Sequence, residues 1–259
     1  MPAPLIIGHR GASAVTPENT LGAFRKAIEV GADGIEFDVR LTRDGMPVVI
    51  HDDNLRRTGG RPDLIRSVSL ADLTQVDVGS WFTRAPDRTY AEERIPTLEQ
   101  VFQLFETNNR LLYLEMKSDA SQRSELARAV CESIQTSKLR DRVIVECFDH
   151  AAIEIVKRID SEIKTAALFE PGLKNPPVVS SGRKLVDKAR AVGADEIALH
   201  HRLASQRTID TATKVGLKVV VWTVDNSDWI DRARNNGVKA LITNDPEMMV
   251  RERDAATTD

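Results

Sequence analysis

The sequence predicts an α/β fold: a (β/α)8 TIM barrel with a β-hairpin arm after strand 2 and a small insertion over the C-terminal rim. Three observations lead there. Eight short, apolar, β-branched runs recur along the 259 residues, most of them followed by an amphipathic helical stretch. The runs are apolar on both faces, as strands are when helices cover one side and other strands' side chains the other. The length also suits a barrel, which commonly fills about 250 residues as one domain. No low-complexity linker divides the chain, so a single domain over 1–259 is expected, with an insertion at about 53–94.

Taken in order, the barrel strands are expected at 5–9, 35–42, 111–117, 143–148, 165–169, 196–200, 218–224 and 240–243. Between them, helices carry readable ends. Thr97 and Gln100 have capping-box spacing, and Leu98, Val101, Phe102 and Phe105 follow at helical intervals. Gly31, Gly193, Gly216 and Gly237 fall two to four residues before a strand, where a left-handed residue ends a helix. Val30-Gly31-Ala32-Asp33 and Val192-Gly193-Ala194-Asp195 echo one another.

One segment breaks the rhythm. Residues 47–51 look like a strand, yet only Arg43-Asp44-Gly45-Met46 separates them from strand 2. Parallel neighbours need a crossover of a dozen or more residues, whereas a short Asp-Gly turn makes an antiparallel hairpin. The returning arm then brings His51 back towards the level of Asp38. The polar stretch 53–94, which contains Trp81-Phe82, reads as an excursion over the barrel mouth.

The charged side chains are 36 basic and 39 acidic, a formal net charge of −3, which gives no electrostatic reason to expect nucleic acid or an anionic membrane. No apolar run approaches the roughly 18 residues needed to cross a bilayer. Met1-Pro2-Ala3-Pro4 lacks a basic n-region, so no secretory signal is expected. Cys131 and Cys147 are too few for a disulfide framework and read as reduced structural thiols of a cytoplasmic protein.

Residues i and i+2 of a strand face the same way, so Glu36 shares a face with Asp38, and Glu115 with Lys117. Their apolar neighbours, Ile35, Phe37, Val39, Leu114 and Met116, suit packing against helices, which turns the charged sets inward. Buried carboxylates persist only when paired or bound to a cation. Three near one rim, without a cysteine or histidine cluster, suit a hard ion such as Mg²⁺ or Ca²⁺ rather than zinc. The plainer alternative, an ion-pair network in which Lys117 neutralises one acid, leaves two uncompensated.

His9 ends strand 1 and His51 ends the hairpin arm, both at the rim where barrel active sites are built. Two histidines beside a metal can divide proton removal and donation. Arg10 and Lys117 are each candidates to bind a phosphate oxygen or to serve as salt-bridge partners. Phe148 and Trp222 are candidates for an apolar wall against an alcohol group, with core packing as the alternative. Glu146 shares a face with Phe148 and adds inward charge, with Lys117 as its expected partner. His200 and His201 are expected to diverge from a strand and to be solvated or structural, and His150, after Asp149, to cap a helix or lie at the surface.

At this point an ordered set of motifs becomes recognisable: Gly8-His9-Arg10-Gly11, Pro17-Glu18-Asn19-Thr20, Glu36-Phe37-Asp38-Val39 and His51-Asp52. It continues with Gly79-Ser80-Trp81-Phe82, Ile95-Pro96-Thr97-Leu98-Glu99, Leu114-Glu115-Met116-Lys117, Trp222-Thr223-Val224 and Thr243-Asn244-Asp245-Pro246. The set spans nearly the whole chain and resembles the glycerophosphodiester phosphodiesterase family. The resemblance implies hydrolysis of a small-molecule glycerophosphodiester to an alcohol and glycerol 3-phosphate. It implies His9 and His51 as the acid/base pair, one divalent cation held by Glu36, Asp38 and Glu115, and Arg10 and Lys117 near the phosphate. Three segments depart from the family pattern. Arg56-Arg57-Thr58-Gly59-Gly60 is short, Glu146-Cys147-Phe148 stands where a serine before phenylalanine is common, and the 84–94 stretch is unusual. Alternatives are a lysophospholipase D on the same fold, a non-catalytic phosphate-ligand-binding barrel and a metal-dependent aldolase-type barrel. Stable membrane insertion is not expected, and a homo-oligomer is left open.

Overall fold

The computed structural model describes residues 2–84, 90–118, 120–172 and 182–256. Nine strands are seen among these residues: β1 (Leu5–His9), β2 (Gly34–Leu41), β3 (Pro47–Val49), β4 (Leu111–Met116), β5 (Val143–Cys147), β6 (Lys164–Phe169), β7 (Glu196–His200), β8 (Lys218–Trp222) and β9 (Ala240–Thr243). Their order is β1-β9-β8-β7-β6-β5-β4-β2-β3, and a further β1–β2 pairing closes eight parallel strands into a barrel. The odd strand, β3, runs antiparallel to β2, with Val39 opposite Val49. Its turn follows from the sequence: Gly45 takes φ +75°, and the Thr42 hydroxyl donates to Asp44 at 2.6 Å. The eight barrel strands and the hairpin arm lie where the apolar runs predict them.

The helices are α1 (Leu21–Glu29), α2 (Arg56–Gly59), α3 (Leu70–Leu73), α4 (Leu98–Phe105), α5 (Arg123–Thr136), α6 (His150–Ile159), α7 (Gly182–Ala191), α8 (Gln206–Lys214), α9 (Asp228–Asn236) and α10 (Pro246–Ala255). α4 begins with the complete Thr97/Gln100 capping box and buries Leu98, Val101, Phe102 and Phe105. α9 ends on left-handed Gly237. None of the described helices is long and apolar enough to cross a membrane.

The repeated Gly-Ala-Asp turn has a function in the fold. Asp33 accepts a hydrogen bond from the Ile6 backbone N–H at 2.8 Å, and Asp195 accepts one from Thr165 at 2.8 Å. Each carboxylate thus satisfies an N–H at the start of the neighbouring strand, where no strand partner reaches it. Lys157 balances Asp195 at 2.7 Å, and Arg253 pairs with Asp33.

Alternation along the strands divides the apolar side chains between two cores. Ile35, Phe37, Val39, Leu114 and Met116 pack outward against the helices. Ile7, Tyr113, Ile144, Ala166, Leu168, Ala198, Val220, Ala240 and Ile242 fill the barrel. A third cluster lies between the hairpin arm and the 53–94 segment, where Val48 and Ile50 meet Leu55, Ile65, Leu73 and Val76. Residues 85–89 of the unusual 84–94 stretch lie outside the described residues.

The N-terminal end of the barrel is plugged by a polar cluster. Lys239 Nζ donates to Glu196 Oε1 at 2.6 Å and to the Tyr113 hydroxyl at 2.9 Å, and that hydroxyl donates to Glu196 Oε2 at 3.0 Å. Both oxygens of a buried carboxylate are satisfied. Lys239→Met strands the Glu196 charge, so it is expected to lower stability by about 3 kcal/mol in urea unfolding, the usual cost of breaking a buried pair. A loss within experimental error would show that the plug is not held by this pair.

Candidate active site

The strand register brings the acidic residues together at the C-terminal end of the barrel. His9 lies beside Glu36 in the β1–β2 pairing, Asp38 beside Glu115 between β2 and β4, and Glu115 beside Glu146 between β4 and β5. Glu36, Asp38 and Glu115 are all buried, and each offers an oxygen within 4.8 Å of the others. His51, just past β3, completes the group because Ile50 N–H donates to the Asp38 carbonyl at 2.9 Å.

A cavity of about 290 Å³ opens onto this cluster. It is lined by His9, Arg10, Glu36, His51, Glu115 and Lys117 together with Glu146, Phe148, Leu168, Glu170, Trp222, Thr223 and Ile242. The structure therefore brings all nine sequence-derived site residues to one place except that Asp38 sits behind the lining, buried at 1% exposure. The Phe148 and Trp222 rings meet edge to face at 5.5 Å. A second hollow, under the 53–94 segment, shares His9 and Arg10 with the first and is lined further by Ser13, Arg57, Trp81 and Arg84.

Positive charge is arranged around Asp38. Lys117 Nζ stands 3.0 Å from Asp38 Oδ1 and 2.7 Å from Glu115 Oε1, and Arg10 Nε stands 3.2 Å from Asp38 Oδ2. Both approaches to Asp38 are ion-pair contacts without regular hydrogen-bond geometry, so Asp38 Oδ1 keeps an unfilled acceptor. Burial pushes the Asp38 carboxyl up, but Lys117, Arg10 and His51 outweigh it and hold it below its ordinary value. Glu115 goes the other way: burial and the nearby Asp38 charge push it up to about 7 despite Lys117. Burial, with Asp38 and Glu115 beside it, raises Glu36 well above the usual range. The expected Lys117–Glu146 pair does not form, because Lys117 is taken up by Asp38 and Glu115.

Both histidines are held so that the same nitrogen faces the cavity. Asp52 Oδ1 lies 2.8 Å from His51 Nδ1, and its carboxyl is held down to about 2: burial alone would raise it, but bonds from Arg57 and His51 prevail. A carboxylate can only accept, so His51 Nδ1 carries the proton and Nε2 is free. On the other side, Asn244 donates its amide to Asp225 at 2.7 Å, which turns Asn244 Oδ1 towards His9 Nδ1 at 2.7 Å. His9 Nε2 is then free as well, 3.8 Å from Glu36. Burial, assisted by the Arg10 charge, pushes His9 down to about 4; burial also lowers His51.

Several supporting residues carry no role in the sequence-based reading. Asn19 donates to Asp38 Oδ2 at 2.7 Å and accepts from its backbone N–H at 3.3 Å. Glu18 bridges Arg10 and Arg57, each at 2.7–2.8 Å, and Arg57 continues to Asp52. Arg40 donates to the His51 carbonyl at 2.9 Å. Glu18, Asn19, Asp52 and Asn244 all lie inside the recognised motifs, and that placement was the available signal. Arg10 and Asn19 have φ of +54° and +58°, a costly conformation for side-chain-bearing residues that clusters at functional sites.

Two expectations about other histidines are corrected. His200 and His201 do not diverge: β7 ends at His200, the chain turns, and their rings stack 4.2 Å apart. His150 neither caps α6 nor lies free at the surface. Its Nε2 meets the Leu168 carbonyl at 3.0 Å and its ring packs 4.6 Å from Phe169, while Asp149 pairs with Arg123.

Residues 9–248 match the Glycerophosphoryl diester phosphodiesterase family. The chain belongs to that family. It is 33% identical over 248 residues to the glycerophosphodiester phosphodiesterase of Caldanaerobacter subterraneus subsp. tengcongensis, covering 95% of this chain and 96% of the relative. Among solved structures it is similar to an Oleispira antarctica phosphodiesterase in complex with the product sn-glycerol-3-phosphate, with TM-score 0.85, 26% identity and 97% of each chain covered. The Thermotoga maritima glycerophosphodiester phosphodiesterase superposes with TM-score 0.76 at 26% identity, over 97% of this chain and 99% of its own. The family is one of divalent-metal-binding phosphoric diester hydrolases. The residues present fit such an ion: three buried oxygen donors converge, one oxygen lacks a hydrogen bond, and two of the carboxyls are short of positive charge.

Asn19→Ala removes both bonds to buried Asp38 and keeps the left-handed backbone, so a loss of about 2–3 kcal/mol in denaturant unfolding is expected. Asn19→Gly, which relieves the backbone cost, should lose less. Equal losses in the two variants would show that the φ of Asn19 stores no strain.

Proposed function

We propose that this chain hydrolyses glycerophosphodiesters, such as glycerophosphocholine or glycerophosphoethanolamine, to an alcohol and sn-glycerol 3-phosphate. In this reading Glu36, Asp38 and Glu115 hold one divalent cation, Mg²⁺ or Ca²⁺, and His9 and His51 share the acid and base roles. The observation that carries it is the cavity onto which two free imidazole Nε2 atoms and the carboxylate cluster converge. A cation bound there supplies Lewis-acid stabilisation of negative charge on the phosphate. One imidazole takes a proton from the attacking oxygen at its free Nε2. The other must enter the step protonated at Nε2 and gives that proton to the departing alkoxide, so that the pair exchanges acid and base states over a turnover. Arg10 and Lys117 add fixed positive charge where the phosphate is attacked. Phe148 and Trp222 give the glycerol or alcohol carbons an apolar wall.

A phosphodiester has two arms, and two hollows meet at His9 and Arg10. The outer one sets Ser13, Glu18, Arg57, Thr83, Arg84 and Asn244 beside two aromatic residues, Trp81 and Phe82; the excess of charged and polar groups favours a water-soluble headgroup over the acyl chain of a lysophospholipid. Retention of both histidines and all three acids argues against a non-catalytic ligand-binding barrel. The two buried, reduced thiols accord with a cytoplasmic setting, and one closed barrel with a family match over residues 9–248 supports a single domain.

The purified protein should release glycerol 3-phosphate from glycerophosphocholine with Mg²⁺ or Ca²⁺ and lose that activity in excess chelator. His9→Ala and His51→Ala should each lower kcat by at least about 100-fold. Full activity in chelator would remove the cation from the reading, and a variant with wild-type kcat would remove its histidine.

A further inference from the structure

Two acids of the cavity, Glu146 and Glu170, have no part in the reaction above, and of these only Glu146 is buried. It is the fourth residue of β5, in register with Glu115 and Ala166, and only 1% exposed. It lines the cavity, yet its Oε2 has no hydrogen-bond partner. The nearby positive charges are committed elsewhere, Lys117 to Asp38 and Glu115, and Arg10 to Asp38 and Glu18. Leu168, on the neighbouring strand and in the same lining, offers no polar side-chain atom. A buried carboxyl left this way is costly, and such groups persist where a ligand completes them.

The chemistry of that ligand can be narrowed. A phosphate oxygen has Arg10, Lys117 and the two histidines of the same cavity to meet, and a fourth acid would repel it. A hydroxyl suits either form, because it can donate to one carboxyl oxygen or accept from a protonated one. An alcohol carbon chain also matches Leu168, which lines the cavity from the neighbouring strand β6. We propose that Glu146 is a specificity residue that hydrogen-bonds a hydroxyl of the substrate's glycerol arm and so fixes that arm in the barrel cavity.

This inference rests on the glycerophosphodiester reading, and one set of measurements separates the two. kcat/KM is compared for the wild type, Glu146→Gln and Glu146→Met on glycerophosphocholine and on two analogues, one lacking the 1-hydroxyl and one lacking the 2-hydroxyl of glycerol. Glu146→Met should cost about 10- to 100-fold on glycerophosphocholine, the worth of one hydrogen bond to a buried carboxyl. On the analogue that lacks the bonded hydroxyl it should cost less than about 3-fold. Glu146→Gln, which still hydrogen-bonds, should recover part of the loss. Glu146→Ala, which removes bulk, carries the same comparison if the methionine variant does not fold. An equal loss on all three substrates in an active enzyme overturns the inference alone. A wild type that releases no glycerol 3-phosphate overturns the underlying reading and this inference with it.

Discussion

Three carboxylates buried within 4.8 Å of one another repel strongly, and the surrounding fold is organised to hold them there. Two cations, Arg10 and Lys117, reach them from opposite sides. They suffice to keep Asp38 charged and leave Glu36 and Glu115 raised. The cluster is therefore short of positive charge by design of its own neighbours. Such a site is stable only because its members sit on barrel strands whose positions are fixed by backbone pairing and not by the side chains themselves.

The supporting residues come from loops, and they tie those loops to the strands. Arg10 and Asn19 both lie between β1 and α1, both have positive φ, and both contact Asp38. Between them Gly11, at φ +85°, lets the loop pass so close to Ala23 that a Cβ would collide with it. From this loop a chain of charged contacts runs through Glu18, Arg57 and Asp52 to His51. The hairpin arm, the 53–94 segment and the β1–α1 loop are thereby linked, so the orientation of His51 depends on residues distant in sequence.

Much of this was legible beforehand because the relevant signals are local. Period-two alternation places Glu36 and Asp38 inward whatever the rest of the chain does, and an Asp-Gly turn too short for a crossover makes β3 antiparallel. What stayed hidden depends on pairing partners. Lys117 sits two residues from Glu115 on the same face, and only the β2–β4 register shows that it also meets Asp38 and so cannot serve Glu146. His200 and His201 diverge on an ideal strand, but the strand stops between them, and the end of a strand is set by tertiary packing. Asn244 is separated from His9 by 235 positions, and nothing in either local sequence indicates their contact.

The barrel interior holds charged groups at both ends, and the contrast between them separates stability from chemistry. At the N-terminal end Glu196 has both oxygens bonded, to Lys239 and to the Tyr113 hydroxyl. At the other end, Glu146 and Asp38 each keep an oxygen without a hydrogen bond. The same scaffold buries both sets, so burial alone does not explain the difference. A polar group that serves only the fold can be satisfied once, by the protein. One that must meet a ligand has to be left incomplete, and the folded chain bears that cost until the ligand arrives.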